Sequence, residues 1–416
     1  MSDFLQSYRV RITPLTPVHV GSGEVLEPYQ YLLRNHEVWV LDPARLLSLL
    51  PEDAANEYLN SVERGPLAAR KQLMQLADRF DLAPAVAWRA PAAQNLHRFL
   101  SRALDRGTGE LGLRLFPRAL EGAYLPGSSL KGAIRTTLLF DASRNELQAD
   151  LDEASMAWKG QYDLIWDHPN RKLAHGRWRK VSGQGSIRPP FALKRPRRDE
   201  RRAALPINQA FEATVLHTPF KGGKPDITGD PFRALGISDS TPIARTAFHL
   251  IEVFGSRKNP EASTGIAQLA QVWTEGAVET NLRFYRGMLQ HPKSVLAKSS
   301  KALRGRLRSL AANAYERLIN LAEAELYEYD QRGWNEAANA MERVLDAIET
   351  CLDDEGALRE PYRFPLRLGY GSGELTMRLA EFIEYPTRHG GMRIDPVSRK
   401  LSERLPLGWV MLEVIE

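Results

Sequence analysis

Hydrophobic and polar positions alternate with a period of two near the start of the chain, strand signals return near its end, and long stretches between them follow a helical period. Ser7 to Thr13 alternates as a strand and leads into the turn-rich PLTPVHVGSGE. Tyr29 to Leu33 and Glu37 to Leu41 read as a hairpin around Arg34, Asn35 and His36. Asp42 and Pro43 then open a helix, with proline in the first turn. Residues 52–105 read as helical, broken near Gly65 and Pro66 and again near Ala83 and Pro84. In YLPGSSLKGAIRTTLLF (124–140), Pro126 and Gly127 end an extended stretch and Ser128 or Ser129 caps a helix. Leu130, Ile134, Leu138 and Leu139 form its buried stripe, which leaves Lys131 and Arg135 together on an exposed side.

Residues 143–160 continue helical, and FEATVLHT (211–218) and TAFHLIEVF (246–254) alternate as strands. IAQLAQVW (266–273) and GAVETNLRFY (276–285) read as a hairpin about Thr274 and Glu275. Helices dominate 286–352, and strand signals return in GELTMRLAEFI (373–383) and GWVMLEVI (408–415). No repeat recurs at a fixed period. Strands at both ends with helical blocks between them predict an α+β fold, its core assembled from distant pieces of chain.

Composition narrows the setting. With 416 residues, 43% hydrophobic and 26% charged, the chain has the profile of a soluble globular protein of two or three domains. No run approaches 18 apolar residues, and the first residues lack the basic and apolar regions of a secretory signal. The single cysteine, Cys351, permits no internal disulfide and no cysteine-based zinc site. These features predict a cytoplasmic protein without membrane contact.

A net charge of +5 is modest, so its distribution matters more than its total. Between Arg171 and Arg202 lie twelve basic residues, among them Arg177, Arg179, Lys180 and Arg188, opposed only by Asp199 and Glu200. Trp178 and Phe191 are interleaved. Such a segment can neutralise phosphates and offer rings for bases to stack on, or it can be a solvated surface loop. KSVLAKSSKALRGRLRSL (293–310) carries six further basic residues and no acid. It reads as a basic helix start or as a solvated face near a partner's acids.

The segment GSSLKG (127–132) invites a phosphate-loop reading but fails it, because Lys131 precedes Gly132 where the motif needs Gly-Lys-Ser/Thr. Its physics still favours an anion: orphan N–H groups at a helix start, two hydroxyls, Lys131 and Arg135 converge there. Gly21, Ser22 and Gly23, and Gly369 to Gly373, are glycine loops beside strands. The nine histidines show no paired ligand spacing, and no nucleophilic triad stands out, so no metal or cofactor is expected. His19 lies in the loop after the first strand. It could do acid–base work on a ribose hydroxyl, stack on a base, or pack under the loop.

TPVHVGSG (16–23), LPGSSLKGAIRT (125–136), DPFRALGISDS (230–240), LRLGYGSG (366–373) and PLGWV (406–410) resemble the RAMP superfamily of CRISPR effector proteins. Their order is most similar to that of the Csm-type subunits that cap the guide-RNA 3′ end in type III-A complexes. The resemblance implies a ferredoxin-like, RRM-like core with large helical and loop insertions. It implies binding of crRNA and complementary target RNA beside other Csm-type subunits, especially the neighbouring backbone subunit, with host trimming nucleases as further partners. Carried over, it places RNA contacts on His19, Gly21 to Gly23, Ser128, Ser129, Lys131, Arg135 and Tyr370, Gly371, Ser372 and Gly373. It also places Arg233 at the site or on phosphate, and Asp239 as an organiser of a nearby loop. Related backbone subunits that cut target RNA use an aspartate in the loop after the first strand. Here GSGEVLEPYQY carries Glu24 and Glu27 instead, which implies a non-catalytic chain.

The expected organisation is a discontinuous core of residues 1–41, 110–142, 205–285 and 360–416. Helical insertions of 42–109 and 286–359 interrupt it, as does a basic, thumb-like insertion of 143–204. The expected function is RNA binding in a type III-A (Csm) complex that supports crRNA maturation and antiviral defence. Two alternatives remain: a metal-independent endoribonuclease acting on guide precursors through His19, and a protein scaffold that recruits trimming nucleases.

Overall fold

The two ends of the sequence lie side by side. Strand Gln6–Pro14 pairs antiparallel with Trp409–Val414 on one edge and with Val278–Phe284 on the other. The computed structural model describes residues 5–96, 98–100, 111–137, 162–167, 175–180, 220–221, 224–225, 227–254, 263–290, 307–352, 359–360, 362–369, 385–386, 392–393 and 399–415. Leu235–Ile237 and Arg363–Arg367 complete a five-stranded sheet, antiparallel throughout.

One face of this sheet, with Val10, Ile12, Val278, Leu366, Val410 and Leu412, packs against Leu130, Ala133 and Ile134 of helix 127–137. Trp409 and Met411 point to the other face, into a cluster with the helices Leu307–Gln331 and Asn335–Glu349. Trp409–Val414 is therefore covered on both sides over Trp409 to Leu412, which is why those four residues are all apolar rather than alternating. Gln6–Pro14 keeps one polar face, on which Arg9 and Arg11 approach Glu279 at 3.9 and 3.6 Å and Arg11 approaches Glu413 at 3.6 Å.

A second sheet centres on Ala247–Phe254 and Ser263–Val272, flanked by Arg399–Ser402 and by the short strand Leu113–Arg114. A third joins Tyr31–Arg34, Glu37–Leu41 and Val86–Pro91. The hairpin turn uses Asn35 and His36 at φ 50° and 61°, the two-residue left-handed turn that matches strand twist. Asp42 accepts hydrogen bonds from the N–H groups of Ala44 and Arg45 and so starts the helix Pro43–Leu49. The architecture is mixed α/β, and no helix among the described residues is long and apolar enough to cross a membrane.

Three local expectations are corrected. Val86–Pro91 is a strand, not part of a helical insertion; it pairs along Glu37–Leu41 and stacks Trp88 on Phe248, centroids 6.0 Å apart. Tertiary pairing overrides the helical pattern there, and this sheet crosses the expected boundary at residue 42. The strands Ser263–Val272 and Val278–Phe284 are not a hairpin. Buried Trp273, bridged to Val18, carries the chain from the second sheet to the first. Helix 127–137 starts one residue early, so Ser128 and Ser129 sit in its first turn rather than at its cap. The expected elements at 143–160, 211–218 and 373–383 lie outside the described residues.

Candidate nucleic-acid interface

Five segments far apart in sequence meet at one cluster. Val18, Val20, Leu125, Leu130, Ile237, Leu366, Leu368 and Val410 share a single apolar core. Around it the backbones are tied together in two groups.

In the first group, Trp409 N–H donates to Thr16 Oγ1 at 3.0 Å and Gly408 N–H to the Pro17 carbonyl at 2.8 Å. Leu368 N–H donates to the Gly408 carbonyl at 2.6 Å. Gly369 and Gly408 have φ 82° and 97°, and a Cβ on either would collide with a carbonyl oxygen, of His19 and Leu368 respectively. Both glycines are therefore demanded by close backbone approach.

In the second group, Gly127 N–H donates to Asp239 Oδ1 at 2.9 Å, and Leu125 N–H to Ser240 Oγ at 2.9 Å. Lys131 Nζ donates to the Leu235 carbonyl at 2.7 Å. Arg135 Nη1 meets Asp230 Oδ2 at 2.5 Å, with its guanidinium 5.2 Å from the Phe232 ring. Burial pulls the Lys131 amine below its ordinary range, and Asp230 opposes that pull. The expectation of an exposed, anion-seeking pair at 131 and 135 is thus corrected. Both side chains are half-buried and clamp residues 230–237 onto the helix. The anion at the helix start is the protein's own Asp239. The acidic residues within DPFRALGISDS were the sequence signal for this arrangement.

His19 is 1% exposed. Its Nδ1–H donates to the Gln271 carbonyl at 2.6 Å, and its ring meets Phe116 edge-on at 6.1 Å. Burial, reinforced by Arg114 and only partly offset by the Gln271 bond, lowers its pKa to about 4. Of the three roles open to it, packing beneath the loop is the one this geometry performs; a ring so enclosed cannot stack on a base.

Above it Gly21, Ser22 and Gly23 are exposed, with Ser22 N–H held by the Leu115 carbonyl at 3.0 Å. Ser128 is exposed, Ser129 half-buried, and exposed Arg233 donates to the Thr228 carbonyl at 3.3 Å. Arg177, Arg179 and Lys180 lie on the strand His175–Lys180, which pairs with Tyr162–Asp167. Arg188 and Tyr370 to Gly373 lie outside the described residues. Among the described residues, no group of three or more His, Cys, Asp or Glu side chains clusters as metal ligands.

With these segments gathered at one core, a comparison of the whole sequence becomes decisive: a profile of the RAMP superfamily matches residues 11–375. The chain belongs to the RAMP superfamily. The CRISPR system Cms protein Csm5 of Enterococcus italicus is 31% identical to this RAMP chain over 150 residues, 32% of the chain and 42% of that relative. The match thus spans less than half of the relative's length. Among solved structures, a chain of the Csm-crRNA-target RNA ternary complex of a type III-A CRISPR-Cas system superposes with a TM-score of 0.60 at 19% identity. That superposition covers 98% of this chain and 100% of the other. T. onnurineus Csm5 superposes with a TM-score of 0.57 at 18% identity, over 96% and 99% of the two chains. At these identities the superpositions establish a shared fold.

Proposed function

We propose that this RAMP chain is a non-catalytic RNA-binding subunit of a type III-A CRISPR effector complex, acting in the cytoplasm in antiviral defence. Its ligands are the 3′ part of a crRNA and the duplex that guide forms with target RNA. Its place is the end of the backbone filament, beside a neighbouring Csm-type subunit, where it supports guide maturation. In this reading the antiparallel sheet around Gln6–Pro14, with helix 127–137 on one face, is the chain's RRM-like core.

The observation that carries the reading is the convergence of the five segments on one core, which leaves Gly21 to Gly23 and Ser128 exposed at its margin. RNA would meet these residues, together with Arg233 and the basic side chains of 177–188, through phosphate contacts rather than base edges. Lys131 and Arg135 support this surface by fixing residues 230–237.

Ser128→Glu tests the assignment. A carboxylate in the first helical turn favours the helix and repels phosphate, so the fold survives while binding weakens about threefold to tenfold for all RNAs alike. Unchanged binding at roughly 0.15 M salt would remove the helix start from the interface. Incubating precursor RNA with the protein in EDTA is expected to leave the RNA intact, whereas cleavage would overturn the non-catalytic reading.

A further inference from the structure

The hairpin that precedes helix 127–137 holds an arginine on an aromatic stack. Arg118–Ala119 pairs with Gly122–Ala123. The hairpin is tied down where Ile243 N–H donates to the Ala123 carbonyl at 2.7 Å and Tyr124 N–H to the Pro117 carbonyl at 3.0 Å. From this base Arg118 reaches the third sheet, where its guanidinium lies over the Trp88 ring, 4.1 Å from the centroid. Trp88 in turn stacks on Phe248 of the second sheet, with 6.0 Å between centroids and 18° between planes. Phe248 is buried and Trp88 half-buried, so packing sets the two inner layers, and exposed Arg118 is the outer one.

Arginines over rings recur in this fold, but most carry their own counter-ion. Arg89 over Trp39, Arg135 over Phe232, Arg332 over Trp334 and Arg367 over Trp409 are met by the carboxylates of Glu37, Asp230, Glu328 and Glu325 respectively. Arg118 lies closer to its ring than any of these, yet among the described residues no hydrogen bond or ion pair holds it. Its partial burial lowers its pKa, and no acid offsets that cost. A partly desolvated cation that the chain leaves unneutralised favours an anion from outside. Its flat outer face, backed by Trp88, can also take a ring, because guanidinium planes stack on nucleobases.

The position of the stack selects the ligand. Three residues before Arg118, Leu115 holds the glycine loop: its carbonyl accepts from Ser22 N–H at 3.0 Å and Ser22 Oγ at 3.2 Å, and its N–H donates to the Glu24 carbonyl at 3.1 Å. Three residues of chain span at most about 11 Å, so a strand whose phosphate meets that loop brings a neighbouring base within reach of Arg118. A protein carboxylate would satisfy the charge but leave the stacking face unused, whereas a nucleotide uses both. We propose that Arg118, backed by Trp88 and Phe248, is a stacking platform for an unpaired base of an RNA strand that crosses the glycine loop. This role rests on the RNA-binding reading above and adds to its phosphate contacts a base contact that tolerates any sequence.

The test measures the affinity of the full chain for a single-stranded uridine oligomer and for its abasic counterpart, which keeps the phosphates and lacks the bases. The parent chain is expected to bind the uridine oligomer about fivefold to tenfold more tightly. Arg118→Lys keeps the charge at an exposed position and removes the plane. It should erase most of that preference while leaving affinity for the abasic oligomer unchanged, a split that a merely structural contact would not produce. Absence of a preference in the parent, a preference undiminished in Arg118→Lys, or an equal loss for both oligomers would overturn the platform and leave the RNA-binding reading standing. Failure of the parent chain to bind either oligomer would overturn that reading, and the platform with it.

Discussion

Two helices cover opposite faces of the same sheet, and their starts are finished differently. Helix 127–137 begins in a sequence rich in hydroxyls and cations, yet its first N–H group is closed by Asp239 and its cations are occupied by Asp230 and the Leu235 carbonyl. Asn335–Glu349 begins in an unremarkable stretch, and its start has no side-chain cap. The composition of a segment therefore does not tell whether its anion site is open. What decides is whether another part of the chain has already supplied the anion.

The strongest way to break this contrast is to release the helical pair from the sheet. Glu325, 0% exposed, holds Arg367 and accepts from Trp409 Nε1 at 3.3 Å. Glu325→Ala removes the carboxylate from a buried guanidinium and should cost about 3–5 kcal/mol, read by denaturant unfolding. Loss confined to about 1 kcal/mol would mean that apolar packing alone docks the pair.

A second probe is pH, because burial lowers both His19 and His249 to about 4 from 6.5. The unfolded chain takes up these protons as pH falls below 6.5, whereas the folded chain resists until about 4. Their contribution to stability is thus full above 6.5 and lost across that window. Each amounts to as much as about 3 kcal/mol. The thermal midpoint should fall between these limits, and His19→Gln should flatten part of the slope. A slope identical to that of the parent chain would contradict the enclosure of His19.

Asp230→Ala withdraws the carboxylate from half-buried Arg135 and unties its own turn at Phe232 N–H. The expected loss is about 2 kcal/mol, with RNA binding falling alongside as residues 230–237 loosen. Asp239→Ala has the smallest effect on stability, about 1 kcal/mol for a lost cap, and is the sharpest test of the comparison. It opens the first helix start, so phosphate affinity there should rise even as the fold weakens. Unchanged phosphate affinity would show that Asp239 is not what closes that site.

The period-two pattern of Ser7 to Thr13 and the apolar run of GWVMLEVI identified strands that do lie in one sheet, and Asp42 with Pro43 marked a helix start correctly. These are local signals: side-chain alternation and a capping carboxylate act within a few residues, so they are written where they act. The wording of the five RAMP segments likewise pointed to one family, because close backbone approaches such as those at Gly369 and Gly408 leave little freedom in residue type. The rest was decided by pairing across long separations. Whether Val86–Pro91 joined a helix or a sheet depended on the open edge of Glu37–Leu41, and whether 266–285 folded on itself depended on where Trp273 was buried. Whether Lys131 and Arg135 faced solvent depended on Leu235 and Asp230, about a hundred residues away. A sequence lists the groups that need partners, but only the folded chain determines which needs are met internally and which are left for a ligand.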